Sequence, residues 1–258
     1  MKYFKLIKEA WKDYDNSRKI LSITDISIKV STNHVYRIIL KDRSKVIAKI
    51  SDYGYVSNFS EDHSIINALS INLTYPYENF LAKSLTRNGK LYIYEKKYNN
   101  SPIWVVFYNP IRADKKPTKK QSIQRIKTLG EELAKFHLSC KNISNILPHK
   151  SKTFKEDIKF IKKNIFSKKY FHFDKIEKKE IIKHCDIFIK NIQKILNKNN
   201  LLPVFIDWNI GNFSVDKNYN FFSRWDYDWF RIGHRTLDFY FLSRVCSKQG
   251  DSTLFTYS

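Results

Sequence analysis

Apolar and polar residues alternate in short, strand-like segments over the first part of the chain. Residues 26–30, 34–40 and 45–51 are rich in β-branched and aromatic side chains, which favour β-strands. Ser31, Thr32 and Asn33 form a polar break between the first two segments, which is typical of a turn. The pattern predicts a small antiparallel sheet.

A helix is predicted after the third strand. Ser60 is suited to cap its start, with Glu61 and Asp62 in the first turn, where negative charge is favourable. The residues that recur at helical spacing and form its apolar stripe are Ile65, Ile66 and Leu69.

Two more strands are predicted around a tight turn. Residues 80–86 and 90–95 flank Asn88-Gly89, a dipeptide that strongly favours a two-residue hairpin turn. These strands complete a five-stranded antiparallel lobe with one helix, which we assign to residues 1–97.

Beyond residue 98 the apolar residues change to helical spacing. Residues 109–120 form a loop that contains lysine and proline, and the helical positions that follow it are Ile123, Ile126, Leu129, Leu133 and Phe136. A further amphipathic helix is predicted from about residue 176 to 196. The chain is therefore expected to belong to the α+β class, with a mainly helical second lobe over residues 98–258 that meets the first lobe between Glu95 and Ser101.

Composition excludes several classes of protein. The chain has 258 residues, of which 42% are hydrophobic and 16% aromatic, well above the content of a disordered chain. Its longest apolar run, residues 103–108, is too short to span a membrane, and residues 1–5 lack the apolar core of a signal peptide. The three cysteines and seven histidines show no metal-ligand spacing. We expect a cytoplasmic protein without a membrane partner.

The net charge of +22 raises the alternative of a nucleic-acid partner, since lysine-rich surfaces bind phosphates. Glycine and proline are scarce, with six residues each, while lysine, asparagine, isoleucine and tyrosine are abundant along the whole chain. That distribution favours a general compositional bias over a selected basic patch. Nucleic-acid binding is therefore the least favoured of the functions considered.

The residues with the clearest chemical pattern lie between 201 and 238. A short apolar strand, residues 204–206, leads to Asp207, and Asn212 follows five residues later on the same loop. A predicted hairpin over residues 213–225 then ends at Asp226. Carboxylate and amide oxygens suit magnesium, and a strand-end aspartate can orient a hydroxyl group and accept its proton. Two carboxylates in one cleft should also raise the pKa of at least one of them.

Alone, Asp207 could be a turn residue and Asn212 a loop residue in a left-handed conformation. Their joint spacing and strand context favour a phosphoryl-transfer site, with Asp207 as the base and with Asn212 and Asp226 as magnesium ligands.

These motifs resemble those of a known family. Residues 206–213 (Ile-Asp-Trp-Asn-Ile-Gly-Asn-Phe), 225–229 (Trp-Asp-Tyr-Asp-Trp) and 235–239 (Arg-Thr-Leu-Asp-Phe) resemble the catalytic loop, metal-binding motif and following helix of the aminoglycoside phosphotransferase and choline kinase superfamily. Residues 46–50 and 129–137 are more weakly similar to its nucleotide-lysine strand and to the first helix of its second lobe. The resemblance implies a protein-kinase-like fold that binds ATP or another nucleoside triphosphate with magnesium.

The resemblance also implies roles for single residues. Lys49 would contact the α- and β-phosphates and pair with Glu61 or, one residue further, Asp62. The turn of Ser31, Thr32 and Asn33 would cover the phosphates, and the nucleotide base would lie in the cleft near Glu95. Asp238 would brace the catalytic loop.

The chain departs from the family pattern at three points. Phe205 stands where the catalytic loop usually has a histidine, and the phosphate-covering turn contains no glycine. Family members commonly continue with more helices after the segment that matches residues 238–245, so part of the acceptor wall is expected to be missing from this chain.

Three functions follow from these observations. The first is a kinase for a small hydroxylated molecule, such as an amino alcohol, an aminoglycoside or a sugar-like compound. Four residues would then form a wall for a cationic acceptor or, alternatively, pack in the core: Trp208, Tyr227, Asp228 and Trp229. The second function is non-catalytic nucleotide binding, and the third is nucleic-acid binding.

Overall fold

The computed structural model describes residues 3–27, 33–52, 54–98, 101–117, 122–148, 153–167, 172–195 and 201–239. Its elements in chain order are α1 (Phe4–Tyr14), β1 (Ile20–Asp25), β2 (His34–Leu40), β3 (Lys45–Ser51), α2 (Val56–Asn72), β4 (Thr86–Arg87), β5 (Lys90–Leu91), β6 (Ile93–Tyr98), β7 (Ser101–Tyr108), α3 (Ile123–Asn142), a 3-10 turn (Ser144–Ile146), α4 (Phe154–Asn164), α5 (Lys175–Ile195), β8 (Leu201–Val204), β9 (Phe213–Val215), β10 (Phe221–Arg224) and β11 (Arg231–His234). The predicted α+β class with two lobes, the first built on a five-stranded antiparallel sheet, is confirmed.

The sheet of the first lobe has the strand order β1-β2-β3-β7-β6, and all neighbours in it are antiparallel. Strand β7 lies in its interior, between β3 and β6. The first lobe therefore extends to Tyr108, and the predicted boundary at residues 97 and 98 was placed too early. Residues 103–108 are apolar without alternation because this strand is covered on both faces. The alternation of apolar and polar residues that predicts a strand is therefore absent. The lobes connect through the segment after Tyr108, not between Glu95 and Ser101.

Helices cover both faces of this sheet. On one face α1 buries Leu6, Ile7, Ala10 and Trp11 against β2, β3 and β7. On the other face α2 buries the predicted stripe of Ile65, Ile66 and Leu69. The sequence-based prediction of a single helix was wrong because it missed α1, although the apolar residues of α1 recur at helical spacing. Helix α2 begins at Val56, so Ser60 lies inside the helix and does not cap it.

Two of the predicted strands differ in the structure. The first strand of the sheet is β1, at 20–25, whereas the predicted segment 26–30 follows it and runs outside the described residues. Residues 80–85 form only single bridges, Leu81 to Arg224 and Ser84 to Tyr108. The hairpin at Asn88-Gly89 is confirmed: β4 pairs with β5, and both turn residues have positive φ, 53° and 74°.

The second lobe is built around α3. Its apolar face, with Leu129, Leu133 and Phe136, packs on the residues that follow β8 and on the β9–β10 hairpin. This core is continuous with the one under α2, so a single apolar cluster passes from one lobe into the other. The predicted α3, α5 and β9–β10 hairpin are all present. Within the described residues, no helix is long and apolar enough to cross a membrane.

Candidate active site

The loop that carries Asp207 has a strained backbone that is stabilised by neighbouring residues. Strand β8 ends at Val204, and Ile206 has a φ of 60°, which is unusual for a β-branched residue. The amide of Asp207 donates to the carbonyl of Phe205 over 2.6 Å, which closes a three-residue turn around Ile206. Such strain persists only where the surroundings over-determine the conformation.

Asp238 holds this loop, as predicted. One of its carboxylate oxygens accepts hydrogen bonds from the amides of Phe205, at 2.8 Å, and Ile206, at 2.6 Å. Its other oxygen lies 2.7 Å from Nε2 of His137 in α3. Asp238 is fully buried, so all of these contacts lie away from water. His137 of helix α3 and Asp238 of the helical turn that begins at residue 236 thereby hold the backbone of the two residues before Asp207 in place.

The side chain of Asp207 is oriented by hydrogen bonds to both of its oxygens. The amide of Asn209 donates to Oδ1 over 3.1 Å, and Nδ2 of Asn212 donates to Oδ2 over 2.8 Å. Burial raises the pKa of Asp207, although the Asn209 amide and Arg224 oppose the shift. Asp226 also contributes to the increase, but less than burial does. The predicted direction is thus confirmed, with desolvation as the main cause.

The β9–β10 hairpin brings Asp226 beside the same loop. The amide of Trp225 donates to the carbonyl of Asn212 over 2.9 Å, so Asp226 follows directly after a contact with the Asn212 backbone. Asp226 itself has a φ of 73°. Burial would raise the pKa of Asp226, but the ammonium of Lys49 outweighs it and holds the pKa below its usual value. Asp226 is therefore present as a carboxylate.

Lys49 reaches this site from the sheet of the first lobe. Its Nζ lies 3.0 Å from Oδ1 of Asp226 and 2.5 Å from Oδ1 of Asp228. Burial would lower the pKa of Lys49, but the two carboxylates outweigh it and raise the pKa above its usual value. Among the described residues, Asp226 and Asp228 are the carboxylates paired with Lys49, so the predicted pairing with Glu61 or Asp62 was wrong. Helical register identifies neighbours along the chain, whereas these partners lie 177 and 179 residues away.

The turn between β1 and β2 also contacts the site. Nδ2 of Asn33 donates a hydrogen bond to Oδ2 of Asp228, and Asn33 is buried. Ser31 and Thr32, predicted to belong to the same phosphate-covering turn, lie outside the described residues. Asp228 thus joins Lys49 and Asn33, both from the first lobe, to the loop of Asp226.

The predicted acceptor wall is only partly supported. Trp208 is fully buried and stacks on Phe221 with ring centres 4.9 Å apart, so assigning it to the acceptor wall was wrong. Tyr227 is also buried, and Asp228 faces Lys49. Trp229 is 51% exposed, and its contact with an acceptor stays a prediction. Glu95 is exposed on the edge strand β6, and the lobe junction on which its assignment rested lies elsewhere.

Two buried polar groups near the site were missed from the sequence. Nε2 of His63 in α2 lies 2.6 Å from the hydroxyl of Tyr108 at the end of β7. Burial, with a contribution from Lys49, lowers the pKa of His63 to about 3, so this histidine is neutral. The other group is Arg224, which is fully buried beside Phe205. Neither belongs to a motif, and only their positions in apolar stretches could have drawn attention to them.

The donor atoms fit a hard divalent cation bound together with phosphates. In the described part of the chain, no cluster of three or more His, Cys, Asp and Glu side chains is arranged to hold a metal. Asp226 and Asp228 already hold one cation, the Lys49 ammonium, and Asn212 lies beside Asp226. Magnesium in nucleotide sites is typically bound by one or two carboxylates, with phosphates and water as its other ligands. The residues present are therefore sufficient for such an ion.

The fold resembles that of solved small-molecule phosphotransferases. An amicoumacin kinase, solved in complex with AMP-PNP, Ca²⁺ and Ami, superposes with a TM-score of 0.64 at 13% identity, over 93% of this chain and 68% of its own. A microcompartment-associated aminopropanol kinase superposes with a TM-score of 0.54 at 11% identity, over 92% of this chain and 73% of its own. A spectinomycin phosphotransferase, solved with ADP and spectinomycin, gives a TM-score of 0.51 at 18% identity, over 93% and 73% of the two chains.

These similarities show that the chain has the two-lobed, kinase-like fold of these solved phosphotransferases. No family model matches the sequence. No curated protein matches it either.

Proposed function

We propose that the protein is an ATP-dependent kinase that transfers the γ-phosphoryl group to a hydroxyl of a small molecule. The observation that carries the proposal is the chain of contacts that brings together Asp207, Asn212, Asp226 and Lys49, from three separate segments. Phosphoryl transfer depends on positioning and charge neutralisation more than on covalent chemistry, and these four residue types supply both.

Asp207 is the proposed catalytic base. Its two oxygens are held by Asn209 and Asn212, which fixes the direction in which the carboxylate faces an acceptor. Its raised pKa makes the carboxylate a better proton acceptor than an ordinary aspartate. The nucleophile is the acceptor hydroxyl, whose proton passes to Asp207 as its oxygen bonds to the γ-phosphorus. The bond between that phosphorus and the bridging oxygen of the β-phosphate breaks, and ADP leaves.

Asn212 and Asp226 are the proposed magnesium ligands. The amide nitrogen of Asn212 is engaged by Asp207, which leaves the amide oxygen for a cation. Asp226 is held as a carboxylate by Lys49. The ion, when bound, would neutralise charge on the nucleotide phosphates. Lys49 is proposed to contact those phosphates, and the turn of Ser31, Thr32 and Asn33 to lie over them.

The proposed acceptor is a small hydroxylated molecule such as an amino alcohol, an aminoglycoside or a sugar-like compound. Asp207, Asp226 and Asp228 lie close together at this site, although the chain as a whole is strongly basic. Acidic side chains favour a cationic acceptor, and the exposed ring of Trp229 could add a cation–π contact. The names of the similar structures, an aminopropanol kinase and a spectinomycin phosphotransferase among them, agree with this class.

The test is a screen for turnover combined with a binding measurement. The purified chain is incubated with ATP, magnesium and panels of amino alcohols, aminoglycosides and sugars, and ADP release is measured. Binding of ATP is measured by calorimetry with and without magnesium. Acceptor-dependent ADP release that is lost in Asp207→Asn supports the proposal. The matched control is Asp186→Asn, an exposed residue of α5 that pairs with Lys162.

The three functions give different results in this test. Magnesium-dependent ATP binding without turnover on any acceptor would indicate a non-catalytic nucleotide-binding protein. Absence of nucleotide binding, with tight and salt-sensitive binding of RNA or DNA, would indicate a nucleic-acid-binding protein. Either outcome contradicts the proposed kinase activity.

A further inference from the structure

Arg224 is an unusual residue at the centre of the second lobe. It is the last residue of β10, two positions before Asp226, and it is fully buried. The central carbon of its guanidinium group, Cζ, lies 4.8 Å from the centre of the Phe205 ring and 4.3 Å from that of the Trp208 ring. In the chain, Phe205 precedes Asp207 and Trp208 follows it. The cation therefore contacts both ends of the catalytic loop.

The same guanidinium group donates a hydrogen bond to the loop backbone. Its Nη2 lies 2.9 Å from the carbonyl oxygen of Asp207. Its Nε and Nη1 are buried and have no hydrogen-bond partner within the described residues. A buried cation with two unsatisfied donors is costly, and a well-packed apolar side chain of similar length is often accommodated equally well. The fold alone thus gives no reason for an arginine at this position.

The backbone of Arg224 is fixed independently of its side chain. Its amide donates to the carbonyl of Phe80 over 2.6 Å, and its carbonyl accepts from the amide of Ala82 over 3.0 Å. The hydroxyl of Tyr227 also donates to this carbonyl, over 2.9 Å. Since both the backbone and the guanidinium are fixed, Arg224 is a rigid connection between the loop of Asp207 and the loop of Asp226.

We propose that Arg224 is a positioning residue for phosphoryl transfer, which sets the place of Asp207 relative to Asp226 by holding Phe205, Trp208 and the Asp207 peptide. The inference rests on the proposed kinase function, because it concerns the same site. Because Arg224 is fully buried, it would act through the loop and not through contact with acceptor or nucleotide.

The first test separates the effects on kcat and KM. Arg224→Met keeps the length and apolar contacts of the side chain but removes the charge and the hydrogen bond. We expect kcat to fall by about 10²-fold, as for a small displacement of a catalytic group, with the KM for ATP changed by less than about threefold. Arg224→Lys restores the charge beside both rings and should recover about tenfold of the lost kcat.

The matched control is Arg231→Met. Arg231 is a second buried arginine of this lobe, with its Cζ 4.9 Å from the centre of the Phe154 ring, and it pairs with Asp157 in α4. We expect this variant to keep the wild-type kcat. The proposal is overturned if Arg224→Met keeps the wild-type kcat, if Arg231→Met lowers kcat equally, or if the lysine variant is no better than the methionine variant.

A second measurement does not depend on enzymatic activity. Hydrogen–deuterium exchange of a peptide over residues 203–215 reports directly on the loop. In Arg224→Met we expect exchange in this peptide to accelerate by about tenfold, with β2, β3 and α3 unchanged. Unchanged exchange in the peptide overturns the inference. Absence of turnover in the wild-type protein, by contrast, would contradict the proposed function and leave the exchange result to decide the role of Arg224.

Discussion

Nζ of Lys49, in the sheet of the first lobe, lies 3.0 Å from a carboxylate oxygen of Asp226, on the loop after β10 in the second lobe. This ion pair joins the residue proposed to bind phosphates to a residue proposed to bind magnesium. Both side chains are largely buried, at 8% and 31% exposure. In the absence of a divalent cation, the ammonium group of Lys49 therefore compensates the negative charge of Asp226 and Asp228.

Removing Lys49 should destabilise the protein when no magnesium is present. Lys49→Met leaves Asp226 and Asp228 together without their cation, and breaking a buried pair in this way costs about 3 kcal/mol. Urea unfolding in the presence of a chelator measures the change in the free energy of unfolding. Lys96→Met, which removes an exposed partner of Glu9, is the control and should have no measurable effect. Equal stability of the Lys49 variant and wild type would show that the pair is unimportant for folding.

Asp207 and Asp226 should have separable roles. Asp207→Ala should lower kcat by about 10²- to 10⁴-fold, the usual contribution of a general base, while magnesium-ATP binding stays close to wild type. Asp226→Ala should weaken magnesium-ATP binding as well, because a ligand of the ion is lost. Turnover assays and calorimetry at several magnesium concentrations measure both effects. Equal and small changes in the two variants would contradict the mechanism.

The transfer rate should depend on pH through Asp207. The base must be deprotonated, and burial raises its pKa above the usual 3.8 of an aspartate. The acid limb of the kcat profile should therefore lie at a higher pH than an ordinary aspartate would give, with full activity above it. An acid limb at or below the usual aspartate pKa, measured with saturating substrates, would argue against Asp207 as the base.

His63 should make the protein less stable in mild acid. Its pKa is about 3 in the folded state, so between pH 6.5 and 3 the unfolded chain binds a proton that the folded chain does not. The free energy of unfolding is therefore highest above pH 6.5. As the pH falls, proton uptake by His63 in the unfolded chain lowers it, by about 2 kcal/mol at pH 5. His63→Gln, which can keep the bond to Tyr108, should reduce the difference in unfolding free energy between pH 7 and pH 5. The control is His234→Gln at the half-buried last residue of β11, and an unchanged difference in the His63 variant would contradict the prediction.

The hydrogen bonds from Asp238 to the loop that carries Asp207 should matter for both stability and activity. Asp238→Ala leaves the buried amides of Phe205 and Ile206 without an acceptor, which should cost about 3 kcal/mol in unfolding free energy. Asp238→Asn keeps one side-chain oxygen to accept both bonds and should retain more stability and more turnover. If the alanine variant were as stable and active as the asparagine variant, these hydrogen bonds would not hold the loop.

Several elements were predictable because their signals are local. Strands β2 and β3, helices α3 and α5, and the β9–β10 hairpin each carry their own periodicity or turn residues. Strand β7 was not recognised because it is buried on both faces and shows no alternation. Helix α1 was missed although its four buried residues recur at helical spacing. The start of α2 was placed too late because a good capping residue, Ser60, occurs within the helix.

The sequence by itself determined the chemistry available to this protein: an acidic segment with Asp207, Asn212 and Asp226 at defined spacing, and a lysine inside an apolar strand. Only the tertiary structure decided which charges meet. Lys49 pairs with Asp226 and Asp228 because folding of two lobes brings together residues that are far apart in the chain. Arg224 contacts Phe205 and Trp208 through packing within the second lobe. Spacing along the chain encodes neighbours within one helix or hairpin, and a contact across 177 residues depends on the packing of the whole core.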